Sequence, residues 1–213
     1  MARSLDGVII KRANRQERFT EKHIEELSKC MDPNEGYLYF VKNFFFIQHA
    51  VRGKIPFDPF EYQIKLMQSY HVNRFTVSLL PRQSGKTTCA AAYILWYAMF
   101  HPDQTILIAA HKFFGAQEIM KRIRYGYELC PDHIRCGVVN YNKGNMDFDN
   151  GSRIVSDTTT GNTGRGMAIS LLYCLEGDTS FVKVRNKHTL VEETVSLKEL
   201  YTRLSTIQHT ESG

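Results

Sequence analysis

The stretch that decides the fold is Leu80-Pro81-Arg82-Gln83-Ser84-Gly85-Lys86-Thr87, set between a β-rich run (Phe75 to Leu80) and an Ala-rich helical run (Thr87 to Phe100). A glycine-bearing turn between a strand and a helix puts backbone amides at a helix N-terminus, where they can cradle phosphate. In that setting Lys86 reaches toward the β- and γ-phosphates, and the Thr87 hydroxyl can hold Mg2+. Leu80 stands where the general pattern has its first glycine, so the motif gains its meaning from its flanks.

Working outward, the chain alternates. Thr105 to Ala110 reads as a second strand and Phe114 to Leu129 as its helix. Cys136 to Asn140, Met146 to Asp149 and Arg153 to Ser156 read as further strands, with Asn150-Gly151 as a two-residue hairpin signal between the last two. Ala168 to Tyr173 is an apolar run suited to a buried parallel strand. This alternation predicts an α/β fold with a mostly parallel sheet. Upstream, Thr20 reads as the N-cap of a helix through Cys30 that Asp32-Pro33-Asn34 breaks. The aromatic stretch Gly36 to His49 reads as a core helix. Downstream of Tyr173 the character changes. Phe181 to Val184 reads as a short strand and Ser196 to Leu204 as a short helix, with too little apolar material for a core of their own.

The 213 residues (24.6 kDa) suit one compact domain plus a fragment of another. A hydrophobic share of 43% and a mean hydropathy of -0.32 argue against global disorder. The longest apolar run, Cys89 to Phe100, is too short to span a bilayer, and Val8-Ile9-Ile10 is no secretory core, so no membrane association is expected. Five cysteines without scaffold or zinc spacing point to a reducing, intracellular compartment. The net charge of +5 is uneven. Residues 174–213 hold five basic and six acidic residues, for -1, and the rest holds 22 and 16, for +6. Such an excess permits nucleic-acid contact without demonstrating it.

Pro81-Arg82-Gln83-Ser84-Gly85-Lys86-Thr87-Thr88 resembles the deviant Walker A of tailed-phage terminase large subunits, those of the T-even type in particular. Gly53-Lys54-Ile55-Pro56-Phe57 with Tyr62-Gln63 is similar to that family's adenine-recognising Q motif. Ala109-Ala110-His111-Lys112, Tyr141-Asn142-Lys143-Gly144, Asp149-Asn150-Gly151-Ser152 and Gly164-Arg165-Gly166 resemble its later segments. The resemblance covers about Tyr37 to Tyr173. It implies a P-loop ATPase that uses ATP and Mg2+ to package double-stranded DNA in the host cytoplasm, working with a small terminase subunit and a portal. It also implies phosphate contacts from Pro81 to Thr88, Mg2+ on Thr87 and a base contact from Gln63. For Arg82 two roles stand open: stabilising transition-state charge as an arginine finger does, or a structural ion pair.

A P-loop ATPase needs adjacent acidic residues after a second strand, one for the Mg2+ shell and one as general base. After Ile169-Ser170-Leu171-Leu172-Tyr173 the chain instead reads Cys174-Leu175-Glu176-Gly177-Asp178-Thr179. Glu176 and Asp178 could be a drifted acidic pair, although their order and spacing do not fit. Alternatively, Cys174 opens an intein. Cys-x-x-Gly-Asp-Thr followed by a β-rich run resembles the N-terminal block of inteins, and Leu197 to Leu204 is similar to the end of the short N-fragment of atypically split inteins. That resemblance implies that the Cys174 thiol attacks the Tyr173 carbonyl carbon, breaking the amide and leaving a thioester plus a free amine. Thr206-Ile207-Gln208-His209 has the spacing of the later assisting Thr-x-x-His block but lies too close to Cys174, so the working block is expected on a partner chain.

The sequence thus predicts three parts: an N-terminal helical extension (1–36), a partial P-loop ATPase domain (37–173) and a short β-rich/α Hint-type intein N-fragment (174–213). The expected partner is a chain carrying the complementary C-intein and the terminase C-terminal half. The competing readings are a nucleotide-binding regulatory module, and a truncated helicase-like ATPase without splicing.

Overall fold

The structure, a computed structural model, describes residues 10–15, 17–110, 113–158, 164, 166–175, 181–185, 192–196, 199–200 and 202–203. The chain divides into two compact units. One is Met1–Met67 with Gly85–Leu175, the other Gln68–Ser84 with Glu176–Gly213.

In the first unit, α1 (Glu21–Cys30) begins as predicted, with the Thr20 side chain accepting from the His23 N–H and the His23 ring accepting from the Thr20 N–H. The aromatic stretch departs from a single helix. It forms α2 (Gly36–Phe44), then turns at Phe45 into strand β1 (Phe46–His49), which pairs antiparallel with β2 (Gly53–Pro56). Helical and alternating apolar patterns overlap in such a dense aromatic run, so periodicity alone does not separate them. Helix α3 (Glu61–Val72) follows and crosses the division between the units.

Helix α4 (Lys86–Phe100) is apolar on every side and buried from Cys89 to Leu95. A helix with no polar face must lie in the middle of a core. Its Trp96 donates the indole N–H to the Cys30 carbonyl at 2.8 Å, which joins α1 to the core. Beyond it, β3 (Thr105–Ala110), α5 (Phe113–Leu129), β4 (Val138–Tyr141), β5 (Asn145–Phe148), β6 (Arg153–Thr158) and β7 (Leu171–Leu175) complete the unit.

The central sheet has the order β4-β5-β6-β3-β7. Strand β3 is parallel to both β6 and β7, whereas β4·β5 and β5·β6 are antiparallel. The sheet is therefore mixed, not mostly parallel, because two tight reversals insert a hairpin meander between α5 and β6. The Asn150-Gly151 hairpin forms, with Gly151 at φ +83° and the Phe148 amide bonded to Ser152 O. Its loop is longer than two residues, since the β5–β6 register runs only to Asp147↔Arg153. The apolar run predicted over Ala168 to Tyr173 begins its strand later, at Leu171, and continues through Cys174 and Leu175, paired with Ala109 and Ala110 of β3.

In the second unit, Phe75 to Leu80 does not form the predicted strand. Residues 76–80 carry no regular structure, and Phe75 and Leu79 are 83% and 54% exposed. Residue type favours a strand there, but a strand exists only when a neighbour takes its backbone hydrogen bonds. No described segment does so. The tail pairs β8 (Phe181–Arg185) with β9 (Glu192–Ser196), a hairpin of which only the first strand was anticipated. Ser196 Oγ then accepts from the Glu199 amide at 3.1 Å, and residues 199–200 and 202–203 are helical, within the predicted short helix. Among the described residues no helix is long and apolar enough to cross a membrane, and no group of three or more His, Cys, Asp or Glu side chains is arranged to hold a metal ion.

Candidate nucleotide site

The turn that precedes α4 carries two positive φ angles, +63° at Gln83 and +77° at Gly85. Glycine adopts this conformation without cost, whereas for Gln83 it is a local strain of the kind that marks tight, functional turns. Gly85 serves as the N-cap of α4, with no side-chain cap and no acidic residue in the first turn. A helix start without a capping side chain or a carboxylate is electrostatically suited to an anion. Lys86, Thr87 and Thr88 make up that first turn and are partly accessible.

Gln63 of α3 packs directly on Gly85. Its side chain is 5% exposed, its Oε1 accepts from the Phe60 amide at 3.0 Å, and its Nε2 donates to the Tyr62 hydroxyl at 3.3 Å. A Cβ on Gly85 would lie 2.4 Å from Gln63 Nε2, inside any allowed contact. Glycine at 85 is thus fixed twice, by backbone conformation and by the amide above it. Phe60 and Tyr62 stack at 5.9 Å with an interplanar angle of 9°, and both remain exposed. The structure therefore brings together two segments that the sequence separates by about twenty residues.

The other predicted residues fall as follows. Pro81, Arg82 and Gln83 are exposed in the turn, and Ser84 is half-buried. Arg82 has no ion pair among the described residues. Tyr173 and Cys174 lie side by side on β7, with Cys174 exposed. Burial, with smaller effects from the neighbouring Cys89 and Cys174 thiols, pushes the Tyr173 phenol up to about 12. Glu176, Asp178, Arg165, His111, Lys112, Thr206 and His209 lie outside the described residues.

One residue that the sequence gave no reason to single out lies here. Arg122, exposed on α5, donates from Nη1 to Thr88 Oγ1 at 3.4 Å. In the sequence it sits four residues after Glu118 and reads as half of a surface ion pair, so no local signal could have separated it from the other basic residues of α5.

The turn thus combines a left-handed glycine, an uncapped helix start and a buried amide beside it. The family model described as terminase large subunit, T4likevirus-type, N-terminal, matches residues 77–180. This span takes in the turn, α4, the central sheet through β7 and five residues beyond Leu175. The match supports a terminase large subunit with an α/β ATPase-like domain. Terminases of that family generally use ATP and Mg2+ and take part in DNA packaging.

Proposed function

We propose that this chain is the N-terminal part of an ATP-driven motor that packages double-stranded DNA, made as a precursor and joined to its C-terminal half by trans-splicing at the Tyr173–Cys174 bond. The motor reading rests above all on the Gly85 turn, left-handed and pressed against Gln63, at the uncapped start of α4. A Cβ-free cradle with no nearby acid in the first turn fits a phosphate chain, and Thr87 is the hydroxyl that would meet Mg2+. Bound Mg2+ with ATP supplies charge neutralisation at the phosphates. Lys86 and the first-turn amides would hold the phosphates, Arg82 would meet the charge that develops on transfer, and the resemblance assigns the base contact to Gln63. The adjacent carboxylates come from the partner half, so the isolated chain binds ATP without turning it over. After joining, its partners are DNA, the portal and the small terminase subunit.

The splicing reading rests on Cys174-Leu175-Glu176-Gly177-Asp178-Thr179 and on the exposure of the Cys174 thiol. In this step the Cys174 sulfur bonds to the Tyr173 carbonyl carbon, the C–N bond breaks, and the Cys174 nitrogen leaves as an amine after taking a proton. Two observations favour the alternative, an uninterrupted ATPase region. The family match continues past Cys174 to residue 180, and β7 runs through the junction without a break.

Co-expression of the chain with the products of its flanking genes tests the proposal by mass spectrometry. The expected result is a ligated protein in which new sequence follows Tyr173, a released fragment beginning at Cys174, and loss of both in Cys174→Ala. Flanking genes that yield no such product overturn splicing. Robust steady-state ATP hydrolysis by the 213-residue chain alone overturns its dependence on a second half.

A further inference from the structure

Arg122 is exposed on α5, beside a stripe in which Ile119, Met120 and Ile123 are fully buried. Glu118 stands one turn earlier, in the orientation (acid before base, four apart) that stabilises an ion pair on a helix. No ion pair joins them among the described residues. The guanidinium crosses instead to α4 and bonds to Thr88 Oγ1, two residues beyond Lys86. That bond uses one of five N–H donors and none of the charge. An exposed arginine is thereby fixed beside a helix start that has neither acidic residue nor side-chain cap.

We propose that Arg122 is a phosphate-contacting residue of the nucleotide site, held at the mouth of the loop by Thr88. This rests on reading the Gly85 turn as a nucleotide site and adds to it a basic group from a separate element. Lys86 is carried by the loop helix itself, so it reports only that the loop is formed. Arg122 is carried by α5, and its planar fork can take two phosphate oxygens at once. It therefore favours nucleotides with a phosphate chain over the bare nucleoside, and it binds them best when α4 and α5 are packed together.

The test uses the full 213-residue chain titrated with fluorescent ATP and, by competition, with adenosine. Arg122→Ala is expected to raise the ATP dissociation constant about tenfold or more, the size of a lost charge-assisted contact. Arg122→Lys should fall between, because it keeps the charge and loses the fork. Adenosine affinity and the thermal melting curve should stay unchanged in both variants, which a merely structural role for Arg122 would not allow. An ATP affinity within about twofold of wild type, or equal losses for ATP and adenosine, overturns the proposal. Absence of ATP binding by the wild-type chain overturns the nucleotide site and this residue together, whereas wild-type binding that Arg122→Ala leaves intact removes this residue alone.

Discussion

Gly85→Ala probes both constraints on the loop, and their sizes can be worked separately. Holding an alanine at φ +77° costs roughly 1–2 kcal/mol, partly offset by about 0.4–1 kcal/mol from a less flexible unfolded chain. The new methyl would lie 2.4 Å from Gln63 Nε2, so the amide must leave. Its departure orphans the Phe60 N–H, now bonded to Gln63 Oε1 at 3.0 Å, at a further cost of roughly 1–3 kcal/mol. The expected net loss is about 2–4 kcal/mol. In a Gln63→Ala background the clash vanishes and only the backbone part remains, about 0.5–1 kcal/mol. Urea unfolding of the four proteins of the cycle measures this coupling, with ATP titration alongside. If Gly85→Ala costs under about 0.5 kcal/mol in both backgrounds, Gln63 does not rest on the loop, and the joining of the two motifs is wrong.

Other outcomes follow from the buried groups. Burial holds the thiols of Cys30, Cys89 and Cys136 at about 12, above the ordinary 9.0, so the unfolded chain loses these protons first as pH rises. Their stabilisation is complete below pH 9 and declines between about 9 and 12, by roughly 1.4 kcal/mol per pH unit for each thiol. Urea midpoints taken from pH 8 to 10.5 should show that fall, and a flat profile would contradict it. Trp96→Phe strands the Cys30 carbonyl and empties part of a fully buried site, for an expected loss of about 2–4 kcal/mol in the same assay. Alkylation of the native chain should modify Cys174 fast and the other four cysteines only after unfolding, since Cys174 is the one exposed thiol of five. Mass mapping that finds a second fast site would count against the packing around α4 and α5.

Where local chemistry decides, the sequence was a good guide. Thr20 announces α1, the Asn150-Gly151 turn announces the β5–β6 reversal, and the Ala-rich run announces α4 as a helix. The failures have a common cause. Phe75 to Leu80 has strand composition but no described partner, and the span from Phe46 to Pro56 becomes a hairpin because two short segments meet. The division between parallel and antiparallel pairs likewise depends on which strands come together. At the site, Gly85 and Gln63 were legible as motifs, but the contact between them was not. The contact of Arg122 with Thr88 was invisible too, because it comes from where α5 passes α4 and not from its neighbours in sequence.

The described sheet stops at β7, and this bears on how the protein behaves in a tube. Leu171-Leu172-Tyr173-Cys174-Leu175 carries no charge and no proline, and Leu172 is 59% exposed although Leu107, its partner on β3, is 2% exposed. Among the described residues the far side of this strand meets no ladder. Natural sheets guard such borders with lysine, proline or a bulge. A chain without that guard is at risk of stacking border to border with its own copies as concentration rises. Colloidal stability, and not folding, then limits how long the chain stays in solution.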